Sequence, residues 1–214
     1  MAQHSDFIGG NIALDFVNTV DGIRSGAHID GLETYADLLQ WAFAGGVIEA
    51  ERHAVLQAAA GAEPQAAARV LDEAKALREA MHNLFHAVTH GHVRSAADLA
   101  CLNGALAASA GRAEIVDGGD GFTWRWVEDA SLDRPLWPVA RAAGDLLASG
   151  ALHRLHECAS DTCGWLFLDV SKAGRRRWCD MAGCGNRAKV RRHRQRRERS
   201  PSPAMRDPTP KRTT

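Results

Sequence analysis

Apolar residues recur at helical spacing over most of residues 1–150. In 32–44 they fall at Leu32, Tyr35, Leu38, Leu39, Ala42 and Phe43, close to a 3.6-residue period, and Gly45-Gly46 stops the run. A helix from about 49 to 60 carries Glu49 and Glu51 in its first turn, where carboxylates suit the dipole. Pro64, tolerated in a first turn, opens a long helix to about residue 89. Its predicted buried stripe is Val70, Leu71, Ala74, Leu77, Met81, Leu84, Phe85 and Val88. Ser95 caps the next helix, about 96–110, with Asp98 three positions on. The pattern then changes to a hairpin, 114–116 and 122–127 around Gly-Gly-Asp-Gly. A last helix at 136–148 has Val139, Ala142, Ala143, Leu146 and Leu147 on one side. Residues 152–157 read as a linker.

Shorter patterns are less decisive. Residues 7–19, FIGGNIALDFVNT, predict a loop and a short strand around 12–16. Asp15, Asn18 and Thr19 there suit turn and cap hydrogen bonds, with a ligand pocket as the alternative. Residues 21–31 read as a loop exposing His28. Trp124 and Trp126 alternate with polar residues, so they share a face, predicted to cover the helical layer or to form a ligand platform. Cys101, within DLACLNGAL, reads as a small core residue.

The long helix carries His82, His86 and His90 at i, i+4 and i+8, followed by His92. Such pairs can chelate a metal. No HExxH or matching acidic motif accompanies them, so the plainer reading is surface histidines.

The other four cysteines stand apart. Cys158/Cys163 and Cys179/Cys184 form two pairs, each with four intervening residues, fifteen residues apart. Two such pairs can close the tetrahedral thiolate shell that zinc prefers. Disulfides or unrelated buried thiols are the alternatives. Between the pairs, WLFLDVS, KAG and RRRW predict a hairpin; beyond them a basic helix is predicted. Knuckle, hairpin, knuckle and helix give the order of a treble-clef finger. Filled by four cysteines, the shell is structural rather than catalytic. His153 and His156 lie near enough for support or phosphate contact.

Charge sharpens the picture. The chain of 214 residues is formally neutral. Yet residues 172–199 hold twelve cations against two anions, so an acidic body precedes a basic end. That asymmetry points to a polyanionic partner. The cations surround the predicted helix, where like charges at i,i+4 would fray its distal end without a polyanion. The tail, 200–214, is proline-rich and polar and is expected to be disordered.

WLFLDVSKAGRRRWCDMAGCGNRAKVRRHR resembles the CGNR zinc finger, whose four namesake residues are here Cys184, Gly185, Asn186 and Arg187. LDFVNT at 14–19, SAADLACLN at 95–103 and RPLWPVARAAGDLLASG at 134–150 resemble the ABATE domain that usually precedes that finger in bacterial proteins. The resemblance implies a stress-induced transcription regulator.

The expected architecture is a mainly α domain with a small β-element (α+β) over 1–150, a treble-clef-like zinc finger with a basic helix over 151–199, and the tail. The expected cofactor is Zn2+, held by Cys158, Cys163, Cys179 and Cys184. Asn186, Arg187, Lys189, Arg191, Arg192 and Arg194 are the candidate DNA contacts on the helix; Arg175, Arg176 and Arg177 are those on the hairpin. RNA, or an acidic protein surface, is the alternative target. The first domain is expected to sense a small-molecule effector or to pair subunits as a homodimer. No apolar run is long enough to cross a membrane, and no leader pattern is evident. The expected location is cytoplasmic, on the nucleoid when DNA is bound. No P-loop, GxGxxG or nucleophile elbow is present, so no enzyme is expected.

Overall fold

The computed structural model describes residues 7–22 and 28–199. The proline-rich tail lies outside the described residues. The helices are α1 (Ile12–Val17), α2 (Tyr35–Ala44), α3 (Ala50–Ala62), α4 (Pro64–His90), α5 (Ala96–Ala110), α6 (Leu136–Ala148) and α7 (Asn186–Arg199). Three antiparallel two-stranded ribbons join them: β1 (Val20–Gly22) with β2 (His28–Asp30), β3 (Ala113–Asp117) with β4 (Phe122–Trp126), and β5 (Leu155–Glu157) with β6 (Leu166–Leu168). The expected mainly α fold with small β-elements is what forms.

The 27-residue α4 is the spine. Leu71, Ala74, Leu77, Met81, Leu84 and Phe85 are buried in one continuous core, with Val70 and Val88 at its margin. Pro64 starts the helix, and Gly91, in the left-handed region, ends it. α1, α2, α3 and α5 pack on α4; α6 packs on α1 and α5. In α2 a capping box between Thr34 and Asp37 fixes the first turn. Trp41 rather than Phe43 faces inward; its ring lies 5.0 Å from that of Phe16.

Residues 12–16 form a helix, not the expected strand. Asn11 accepts a hydrogen bond from Ala13 N–H at 2.9 Å and caps the turn. Ala13, Leu14, Phe16 and Val17 are then buried around the whole short helix, so its apolar run carries no period to read. Residues 21–31 include a ribbon rather than only a loop: Val20 pairs with Asp30 and Gly22 with exposed His28. Arg78, buried on α4, anchors it, donating to both Asp30 carboxylate oxygens at 2.7 Å and to Thr19 Oγ1 at 2.9 Å. Sequence reading gave Arg78 no part.

The β3–β4 ribbon forms as expected, but its tryptophans divide the work. Trp126 packs toward Trp137, with the Arg134 guanidinium over its ring. Trp124 stays 59 % exposed beneath Arg141. Cys101 is half-buried rather than fully in the core.

Candidate metal centre and basic helix

The four cysteines converge. Their sulfurs all lie within 4.8 Å of one another, and each residue is buried. Cys163 and Cys179 Sγ are 3.7 Å apart; Cys179 and Cys184 Sγ are 3.6 Å apart. A disulfide needs about 2.05 Å. Zn–S bonds of about 2.3 Å in a tetrahedron put sulfurs about 3.8 Å apart. The donor set and its spacing therefore fit zinc. The thiols of Cys158, Cys163 and Cys179 are electrostatically unlike one another. Hydrogen bonding from Cys163 and Cys179 holds the Cys158 thiol down to about 2. Hydrogen bonding to Cys158, then burial, pushes Cys163 up to about 12, and Cys179 is driven upward for the same reasons. A divalent ion reverses that penalty by stabilising thiolates together.

The backbone between the cysteines differs from the expected hairpin. β6 pairs upstream with β5, across the first knuckle, so the supposed linker at 155–157 is a strand of the finger. Residues 175–178 form no strand. They are held by side-chain caps: the Arg176 N–H donates to Asp169 Oδ2 at 2.8 Å and the Ser171 N–H to Asp169 Oδ1 at 2.9 Å. A hydrogen bond from the Ser171 side chain, and then these backbone bonds, lower Asp169 to about 2. The second pair closes around a five-residue π-helical turn, Met181–Gly185, where Asp180 accepts from Gly183 N–H. At Gly185 a Cβ would sit 2.9 Å from Met181 Sδ, so the exposed methionine side chain folds closely over this turn. α7 springs directly from this turn.

The proposed contact residues separate into two groups. Arg187 Nη2 donates to Cys184 Sγ at 2.9 Å, and Asn186 Nδ2 donates to Ala182 O at 3.0 Å. Arg176 lies over the Phe167 ring at 4.3 Å and donates to the carbonyls of Cys179, Trp178 and Ile8. Arg177 covers Trp178, and Arg191 pairs with Asp161. Those side chains hold the finger together. Arg175, Lys189, Arg192 and Arg194 are exposed, as are Lys172 and Arg196. Asn186, Arg187, Val190, Arg191 and Arg194 also line a cleft of about 540 Å³ along the helix base.

Asp15, Asn18 and Thr19 each have a partner in the fold. Asp15 Oδ1 accepts from Gly9 N–H at 2.7 Å, and burial raises its carboxyl to about 6. Asn18 works as a strand substitute: its Nδ2 donates to Leu166 O at 2.8 Å and its Oδ1 accepts from Leu166 N–H at 2.9 Å. Thr19 donates to Phe16 O and accepts from Arg78. Further bonds, Leu168 N–H to Gly9 O and Trp165 Nε1 to Val20 O, tie the finger to residues 9–20. Trp165 and Trp178, with Ile8, pack on the cysteine cluster and Phe167. His153 bonds to Gly150 O, and the His156 ring lies tilted 5.9 Å from that of Phe167.

A helical body and a buried four-cysteine knuckle feeding a cationic helix define a zinc-finger protein of two parts. Family models agree: residues 154–197 match the CGNR zinc finger, and residues 10–150 match ABATE, described as "Putative stress-induced transcription regulator". The chain belongs to the ABATE family and carries a CGNR finger. No curated protein matches it. Neither matched family is a family of enzymes. Among the described residues, no helix is long and apolar enough to cross a membrane.

Proposed function

We propose that this chain is a zinc-dependent DNA-binding regulator in which Cys158, Cys163, Cys179 and Cys184 hold structural Zn2+ and α7 lies against duplex phosphates. The observation that carries this reading is the junction at Cys184–Arg187. A buried metal-type cluster fixes the first turn of a 14-residue helix that exposes Arg187, Lys189, Arg191, Arg192, Arg194 and Arg196. A helix of that length spans about 21 Å. Arg192, Arg194, Lys189 and Arg196 supply the charge, with Arg175 and Lys172 alongside. Phosphate contacts of this kind give affinity and orientation rather than sequence choice. The body over 1–150 is the sensing or pairing domain in this reading.

Within the finger, the tryptophans favour duplex DNA over single-stranded RNA. Single-stranded RNA readers stack unpaired bases on open aromatic faces. Here Trp165 and Trp178 are packed against the cysteine cluster and are not free platforms.

The test is recovery of genomic fragments and cellular RNA on the full-length protein, sequenced with and without a chelator. Duplex promoter fragments that vanish on chelation are the expected result. Enriched RNA, or capture indifferent to chelation, overturns the reading.

A further inference from the structure

Chain distance hides an acidic partner for the histidines of α4. Glu157, on β5, reaches back across 67 positions to His90. Its Oε2 lies 2.6 Å from His90 Nε2 and 3.5 Å from His86 Nε2. The three donor atoms all lie within 4.8 Å of one another. The rings of His86 and His90 are 4.3 Å apart, and the His92 ring lies 5.8 and 5.7 Å from theirs. From these positions we propose that His86, His90 and Glu157 form a second metal site, for a borderline divalent ion of the zinc, nickel or cobalt class, with His92 beside it as a further imidazole.

The chemistry selects that class. Two imidazoles and one carboxylate suit first-row ions of intermediate softness, whereas magnesium and calcium prefer all-oxygen shells. Bonds of about 2.0–2.1 Å in a tetrahedron place neighbouring donors about 3.4 Å apart. His86 and Glu157 already stand at that spacing. His90 and Glu157 need to part by about 0.8 Å, well within the reach of a half-exposed imidazole. Placing the pair at i,i+4 puts both rings on one face of a rigid helix. Glu157 approaches from a different element, so the cluster is not an accident of one helix surface.

The placement of Glu157 gives the site its meaning. The next residue, Cys158, belongs to the cysteine cluster. An ion on α4 would therefore clamp the strand that leads into the finger. With three protein donors the shell keeps a position for water, and its partial exposure allows exchange, unlike the buried four-sulfur centre. The site stands whether or not α7 meets DNA.

The experiment uses full-length protein already carrying zinc at its cysteines, titrated with Co(II) and then dialysed. Wild type is expected to retain one cobalt beyond its zinc, with weak visible d–d absorption and no sulfur charge-transfer band. The double variant H86A/H90A is expected to retain its zinc and its circular dichroism and to lose the cobalt. H90Q, at an exposed position, reports the same loss of affinity if the double variant misfolds. The metal should raise the wild-type melting temperature and leave the variants unmoved. The proposal is overturned if wild type retains no cobalt. It is equally overturned if the variants retain as much, or if charge-transfer bands show that cobalt has only replaced zinc at the cysteines.

Discussion

Arg187 donates a hydrogen bond from Nη2 to the sulfur of Cys184 across 2.9 Å. One residue type thus serves two roles on the same helix. The arginine nearest the cluster caps and orients a sulfur, and that hydrogen bond raises the guanidinium pKa above its ordinary value. Further along, Arg192, Arg194 and Arg196 face solvent.

That division is testable. Removing an outer partner of a metal ligand typically weakens metal binding about 10–100-fold. R187A should therefore lose zinc to a competing chromophoric chelator by about that factor. R192A and R194A should retain zinc like wild type. Equal zinc affinity in R187A and wild type would assign Arg187 to the surface group instead.

The outer arginines should appear in the salt dependence. On duplex DNA each neutralised phosphate contributes about −0.9 to the log–log salt slope. R192A and R194A should each flatten the slope by about 0.9, measured by fluorescence anisotropy across a salt series. A slope unchanged in both variants would remove them from the phosphate contact.

Asn18 carries a different load. It satisfies both backbone groups of Leu166 in a buried position. N18A leaves an N–H and a C=O unpaired, and each unsatisfied buried group costs about 1–3 kcal/mol. Urea unfolding should show a loss of roughly 2–6 kcal/mol, with the finger's tryptophan fluorescence among the signals that shift. A change under 0.5 kcal/mol would mean water replaces the amide at about no cost.

Asp15 predicts a pH effect of definite sign. Its folded value is raised to about 6 from an ordinary 3.8, chiefly by burial. The folded state therefore binds the proton more tightly than the unfolded chain. Its contribution to stability is full below about pH 4 and is lost as pH rises through about 6. Melting curves of wild type and D15N between those limits should differ in slope, with D15N flatter. Parallel curves would show that Asp15 ionises without consequence.

Parts of this molecule were readable before folding, for stateable reasons. α4 announces itself because its stripe repeats over many turns and Pro64 marks its start. α5 and α6 follow the same logic, and the cysteine pairs carry their spacing openly. α1 was hidden because six residues buried on nearly every side have no period. The β5–β6 pairing was hidden because three-residue strands lie on either side of the first knuckle, and the apolar run 165–171 suggested a downstream partner instead. Arg187 looked like one more phosphate grip; only geometry shows the sulfur beside it. The histidines lacked a local carboxylate because theirs arrives with β5.

The amide of Asn18 has one more consequence. Its partner, Leu166, is added by the ribosome 148 residues later. Until that strand emerges, the Asn18 amide and the Gly9 and Val20 carbonyls have only water to bond, while Thr19 is already held by Phe16 and Arg78. Completion of this protein is thus a sealing step: the late-made finger closes a seam along the early-made segment, and a clipped chain would leave that seam open.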